Sequence, residues 1–194
     1  MIKIDHQEIT ITRPDDWHVH LRDNEALAFT VQDAARYFGR SVVMPNLDPP
    51  VLRTDQAIAY RKRILKNRPS NSPWEPMMVL YLTDKTSPQE IIEAKASGQI
   101  FGCKYYPCGA TTNSESGVTD LNNINSVIAQ MEKEEIPLLL HGEVNDQNID
   151  IFDREAVFID RHLRRLTHDF PGLNIVLEHI TSKEGVDFVV ESSS

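Results

Sequence analysis

Six short apolar segments alternate along the chain with longer segments in which apolar residues recur at helical spacing. The apolar segments span residues 16–21, 41–45, 77–82, 100–106, 137–142 and 174–179. Runs that are apolar almost throughout are typical of parallel strands buried on both faces, and their alternation with helices is typical of βα units. The pattern therefore predicts an α/β fold with one parallel sheet of six strands.

Helix signals stand between these segments. One face of the first predicted helix carries Leu27, Val31, Ala34, Ala35 and Phe38. The third helix has the clearest start, because Ser87 can cap it, Pro88 suits its first position and Glu90 completes a capping box. Thr181 and Glu184 repeat that spacing after the sixth strand, so a further helix is expected there.

Two segments lie outside the βα pattern. Apolar and polar residues partly alternate at about 2–12, which suggests a small β-hairpin that covers one end of the sheet. Residues 108–120, CGATTNSESGVTD, are polar and rich in Ser and Thr, so a mobile loop is expected directly after the fourth strand. No composition break indicates a domain boundary, and residues 1–194 are expected to form a single domain.

Composition narrows the classes of function. With 40% hydrophobic residues and a formal charge of −9, the chain offers no electrostatic reason to bind nucleic acid. No apolar run approaches the roughly 20 residues of a membrane helix, and the first residues lack the plan of a signal peptide. A cytoplasmic protein without a membrane or nucleic-acid partner is therefore expected. Cys103 and Cys108 are spaced unlike a CxxC motif and are expected to be free, buried or half-buried thiols.

Candidate chemistry collects at the C-terminal ends of predicted strands, the end that forms the active face of a (β/α) barrel. The residues are His18 and His20 on the first strand, Lys104 on the fourth, His141 on the fifth and His179 on the sixth. Because side chains alternate along a strand, His18 and His20 point the same way while Val19 faces the helices. Each histidine alone could be an ordinary core or surface residue, but their coincidence with strand ends favours a metal site. The remaining histidines are expected to be solvated: His6, His162 and His168.

Lys104 is unusual because a lysine on a buried strand loses its hydration, which lowers its pKa towards the neutral amine. A neutral amine can react with carbon dioxide to form a carbamate, a carboxylate on a long arm that can bridge two cations. The alternative is a lysine that extends its ammonium group to solvent from the strand end.

Six motifs resemble those of a known enzyme family. They are HVHLRD (18–23), MPN (44–46), KYYP (104–107), ATTN (110–113), HGE (141–143) and EHIT (178–181). In this order they are similar to the motifs of dihydroorotases of the single-function bacterial type, from about residue 13 onwards. The resemblance implies a (β/α)8 TIM barrel of the metal-dependent hydrolase type, of which about six βα units are present here.

The resemblance also implies a binuclear zinc site. His18 and His20 would hold the first zinc ion and His141 and His179 the second. Lys104, carboxylated to N6-carboxylysine, would bridge the two ions. Histidine and carboxylate ligands suit zinc, although cobalt or manganese could replace it.

Members of this family hydrolyse (S)-dihydroorotate reversibly to N-carbamoyl-L-aspartate in de novo pyrimidine (UMP) biosynthesis, and the resemblance suggests a homodimer. Contacts with this small-molecule substrate are implied for Arg22, Asn46, Thr111, Thr112 and His141. An arginine fork matches a carboxylate, and the two threonines belong to a loop that closes over the substrate. Taken alone, Arg22 could be a surface ion-pair residue, Asn46 a turn residue and the threonines ordinary loop polarity.

Two alternatives remain open. An eight-stranded barrel typically needs about 250 residues, whereas this sequence of 194 ends in the helix after the sixth strand, before the aspartate that serves the family as general base. A catalytically incomplete barrel fragment that acts only with a complementing segment is one alternative. A hydantoinase- or allantoinase-type enzyme is the other, although Arg22, Asn46 and the loop threonines favour dihydroorotate.

Overall fold

A computed structural model describes residues 3–4 and 9–192 and contains two sheets. The small sheet pairs β1 (Lys3–Ile4) with β2 (Ile9–Thr10) in antiparallel register. The large sheet consists of β3 (Asp16–Val19), β4 (Arg40–Val43), β5 (Glu75–Tyr81), β6 (Ile100–Tyr105), β7 (Leu138–Leu140) and β8 (Ile175–Leu177). Its strands are all parallel and neighbour one another in chain order. The six predicted strands are confirmed, but β7 and β8 have only 3 residues each.

Helices follow the strands as the periodicity predicts. They are α1 (Leu27–Tyr37), α2 (Thr54–Asn67), α3 (Pro88–Ser97), α4 (Asn125–Lys133), α5 (Arg154–Phe158), α6 (Arg164–Asp169) and α7 (Lys183–Ser192). A π-helical turn, Ile159–Leu163, joins α5 to α6. The apolar face predicted for α1 is buried except at Phe38, which is partly buried and packs against the core. Within the described part of the chain, no helix is long and apolar enough to cross a bilayer.

The N-termini of two helices, α3 and α7, differ in detail from the capping that the sequence predicts. Ser87 Oγ accepts a hydrogen bond from the Glu90 amide, as expected, at 3.3 Å. The Glu90 carboxylate instead accepts from the amide and hydroxyl of Thr54, at 2.6 and 2.7 Å, and so links α3 to α2. The cap of α7 is Ser182 and not Thr181, because Ser182 Oγ accepts from the Gly185 amide at 3.1 Å.

The large sheet is curled into part of a barrel. Its first and last strands would lie about 24 Å apart in a flat sheet with strands about 4.8 Å apart. Yet His18 on β3 and Glu178 just after β8 are in hydrogen-bond contact, with Nδ1 and Oε1 3.0 Å apart. The helices cover the convex face with the main apolar core, and a second cluster on the concave face comprises Val42, Met44, Val79 and Leu139. The fold is therefore α/β, a partial TIM barrel of six βα units.

The predicted hairpin and loop are both present. The hairpin is formed by β1 and β2, while residues 2 and 5–8 of the predicted range lie outside the described residues. Ile9 and Ile11 are 67% and 55% exposed, and the expected role of the hairpin as a cover stays a prediction. In the 108–120 loop, the Ser114 side chain is buried and accepts from the Thr111 amide at 2.8 Å, so the loop is folded on itself. Its mobility stays a prediction.

Candidate metal centre

The predicted site residues meet at the C-terminal ends of the barrel strands. A cleft of about 190 Å3 opens there, and its lining is His18, His20, Asn46, Tyr106, Thr111, His141 and His179. Lys104 lies beneath it on β6, with its ammonium group 5.1 Å from the centre of the Tyr106 ring. The curl of the sheet thus brings together all four histidines and the lysine that the sequence singled out.

The HxH pair has the geometry of two ligands of one metal ion. The Nε2 atoms of His18 and His20 face each other at 3.2 Å, and Val19 between them packs against the convex core. Two nitrogens bound about 2.0–2.1 Å from one tetrahedral zinc ion lie about 3.3 Å apart. Burial lowers the pKa of His20 to about 4, with a further contribution from His18, so the ring is neutral and able to coordinate at neutral pH.

Lys104 is fully buried, and its ammonium group forms an ion pair with Glu178. The alternative of a lysine that reaches solvent is therefore wrong. Burial lowers the pKa of Lys104, although the Glu178 charge acts in the opposite direction. Burial alone would raise the pKa of Glu178, but hydrogen bonds from His18 and Lys104 outweigh it and lower that pKa.

His141 and His179 form the other side of the cleft. Their ring centroids are 4.7 Å apart, and the backbone of His179 adopts the left-handed region with φ 40. Non-glycine residues rarely adopt this conformation, which is concentrated at functional sites. His141 Nε2 is buried and has no hydrogen-bond partner in the described part of the chain. Burial, and then the proximity of His179, lower the pKa of His141 to about 3.

The histidine nitrogens of the cleft are suited to bind a cation, but they do not form a complete coordination shell. No group of three His, Cys, Asp or Glu side chains within residues 3–4 and 9–192 is arranged to hold a metal ion. Lys104 supplies no donor in this form, because its ammonium group repels cations. The facing nitrogens of the HxH pair and the unpaired Nε2 of His141 fit imidazole ligation.

Asn46 connects the cleft to the 108–120 loop. Its side-chain amide donates to the Thr112 carbonyl at 2.9 Å, and the Asn113 side chain donates to the Asn46 carbonyl at 3.1 Å. Asn46 Oδ1 is buried without a hydrogen-bond partner among the described residues and remains available as an acceptor. Thr111 lines the cleft, whereas Thr112 contributes its backbone carbonyl to the Asn46 contact.

Besides Lys104 and Thr112, Arg22 is the predicted site residue that does not line the cleft. It is exposed and has a left-handed backbone with φ 60, and its carbonyl accepts a hydrogen bond from the Tyr60 hydroxyl. The backbone of Arg22 is thus constrained, whereas its side chain is exposed and does not line the cleft.

Two side chains were misjudged or missed at the sequence level. His162 is half-buried against the ring of Phe158, with centroids 5.3 Å apart, so the expectation that it is solvated is wrong. His168 is 86% exposed, as expected, and His6 lies outside the described residues. The role of Glu178 was not predicted from the EHIT motif. Its position beside a histidine, at the end of a buried strand, nevertheless indicates a functional carboxylate. Cys103 is buried and Cys108 half-buried, both free, as predicted.

Fold and site together define a partial TIM barrel of the amidohydrolase type, with candidate metal ligands at four strand ends. Comparison with models of protein families gave no match. The chain is 61% identical over 184 residues to a dihydroorotase of Shewanella amazonensis, a match that covers 95% of this chain and 53% of that protein. The chain is thus a homologue of the dihydroorotases and spans about half the length of the curated relatives it matches.

Solved structures agree with this relationship. A dihydroorotase of Campylobacter jejuni superimposes with a TM-score of 0.84 at 38% identity, covering 92% of this chain and 51% of that one. A dihydroorotase of Saccharomyces cerevisiae, solved in complex with 5-fluoroorotic acid, gives 0.84 at 33% identity, covering 92% and 50%. An L-hydantoinase of Arthrobacter aurescens has a TM-score of 0.72 at 14% identity, covering 93% and 44%, and shares the fold alone.

Proposed function

We propose that this chain carries the metal-binding part of a dihydroorotase, which hydrolyses (S)-dihydroorotate reversibly to N-carbamoyl-L-aspartate in de novo pyrimidine biosynthesis. The observation that carries the proposal is the convergence of four histidines and a buried lysine in one cleft at the strand ends. The homologues of the chain are named dihydroorotases, which supports this substrate over hydantoin or allantoin.

The proposed cofactor is a pair of zinc ions. His18 and His20 would hold one ion, His141 and His179 the other, and carboxylated Lys104 would bridge them. Such a pair supplies a hydroxide nucleophile at neutral pH and polarises the amide carbonyl under attack. The low pKa values of His20 and His141 keep both rings neutral, so that each has one nitrogen lone pair ready to coordinate.

The protein's own residues would bind and orient the substrate. Asn46 offers its unpaired Oδ1 to a substrate N–H group, and Thr111 offers a hydroxyl from the loop. Arg22 stands outside the cleft wall and would turn its guanidinium group towards the substrate carboxylate. The hydrogen bond from Asn46 to the Thr112 carbonyl would couple closure of the 108–120 loop to the position of the Asn46 side chain. We also propose that the protein is a cytoplasmic homodimer.

The test is hydrolysis of dihydroorotate by the purified protein supplied with zinc and bicarbonate, together with an intact mass of the same sample. Lys104→Ala should abolish turnover, because the bridging group is lost, and His168→Ala should leave it unchanged. Turnover of hydantoin or allantoin without dihydroorotate would overturn the substrate assignment. A folded, zinc-loaded protein that hydrolyses none of these would support the alternative of a catalytically incomplete part of a barrel.

A further inference from the structure

We propose that Glu178 is a positioning residue of the metal centre, which holds His18 in the tautomer with its proton on Nδ1 and so presents the Nε2 lone pair to the cleft. The inference rests on the proposed metal-binding function and extends it to a residue outside the ligand set. Glu178 would thereby fix the position of the His18 ring proton before a metal ion binds.

The carboxylate of Glu178 is buried, at 5% residue exposure, and each of its oxygens has a partner. Oε1 lies 3.0 Å from Nδ1 of His18, and Oε2 accepts from the ammonium group of Lys104. An ionised carboxylate is an acceptor only, so the ring nitrogen opposite it must be the donor. The contact therefore specifies N–H at Nδ1 of His18.

The consequence appears on the opposite side of the same ring. A neutral imidazole that carries its proton on Nδ1 has a free lone pair on Nε2, and the Nε2 atom of His18 faces that of His20 at 3.2 Å. Carboxylates that fix the tautomer and orientation of a ligating histidine are common in metal sites and raise the basicity of the ligand.

Glu178 also joins parts of the barrel that no ladder hydrogen bond connects directly. Glu178 follows β8, whereas His18 lies on β3 and Lys104 on β6. One carboxylate thus contacts a histidine of the first proposed zinc site and, while Lys104 is uncarboxylated, the ammonium group of that lysine. A single side chain joins residues from three separate strands of the barrel.

The test is long-range 1H–15N NMR of the metal-free protein, measured at about pH 8, where histidines with ordinary pKa values are neutral. His18 is assigned from the signal lost in His18→Asn. The wild-type ring should show the pattern of a proton on Nδ1, and Glu178→Ala should move it towards a proton on Nε2. Glu143→Ala is the matched control, because its carboxylate lies 3.8 Å from Nε2 of another histidine of the cleft, His141.

A second readout is zinc affinity, which Glu178→Ala should weaken about 10- to 100-fold, the usual effect of losing the partner of a ligating histidine. A proton on Nε2 of His18 in the wild type would overturn the proposal, as would an unchanged tautomer in a folded Glu178→Ala variant. If that variant fails to fold, the wild-type spectrum still decides. Neither measurement needs substrate, so an absence of dihydroorotate turnover would leave this inference standing.

Discussion

The side-chain amide of Asn46 lies 2.9 Å from the carbonyl oxygen of Thr112, and this bond fastens the 108–120 loop to the segment after β4. Asn46→Ala removes it and should speed amide exchange in the loop about fivefold, since a neutral hydrogen bond contributes about 1 kcal/mol. Hydrogen–deuterium exchange followed by mass spectrometry measures the change. Asn67→Ala, which removes a similar bond to the Arg63 carbonyl on α2, should leave the loop unaffected. Equal exchange in wild type and Asn46→Ala would show that the bond does not hold the loop.

The facing nitrogens of His18 and His20 predict a shared metal ion. Replacing either residue with alanine should weaken zinc binding by more than about 100-fold, since losing even the partner of a ligand costs 10- to 100-fold. Competition with a chelator of known affinity measures the effect. The exposed His168 provides a control whose replacement should change nothing. Tight zinc binding by both variants would place the metal elsewhere.

The buried pair of Lys104 and Glu178 predicts an unequal response to single and double substitution. Lys104→Met leaves the Glu178 charge buried with fewer partners and should lower the free energy of unfolding by about 3–5 kcal/mol. Adding Glu178→Gln removes that charge and should restore at least about 1 kcal/mol. Urea unfolding of the metal-free variants measures both values. An additive double variant would contradict the interaction.

The low pKa of His141 predicts that the metal-free protein is less stable in acid. The unfolded histidine titrates near 6.5, whereas burial lowers the folded value to about 3. Between these values the unfolded state binds the extra proton, so the stability present above about pH 6.5 is lost as the pH falls. His141 alone should account for at most roughly 3 kcal/mol between pH 6.5 and 4.

Urea unfolding at several pH values measures this loss, and His141→Gln should make the dependence on pH shallower. His168→Gln should not, because that ring is 86% exposed. Identical slopes in wild type and His141→Gln would mean that other groups cause the acid sensitivity.

Gly142 predicts a steric limit beside His141. A Cβ atom at this position would lie 2.3 Å from Cδ1 of Leu177 on β8, far inside contact distance. Gly142→Ala therefore requires the Leu177 side chain to move and should destabilise the protein by about 1 kcal/mol, the lower end of the usual cost of overpacking. The second substitution Leu177→Ala makes room, so thermal unfolding should show a smaller effect of Gly142→Ala in that background. Full additivity would argue against the clash.

Periodicity and residue position predicted the parallel strands and the ends at which His18, Lys104 and His141 stand, because both follow from local rules of burial and alternation. The partner of the Glu90 carboxylate was not predictable in the same way, since Thr54 competes with the expected backbone cap from another helix. The pairing of Lys104 with Glu178 depends on how strongly the sheet curls. Curl is a property of the whole sheet and leaves no local pattern in the sequence.

His18 and Glu178 touch although 160 positions separate them in the chain. Contacts of such high sequence separation form late in folding, because the long intervening segment must first be ordered. During synthesis this contact cannot form until β8 has left the ribosome. The His18–Glu178 contact would then mark a chain in which the strands from β3 to β8 are already in register.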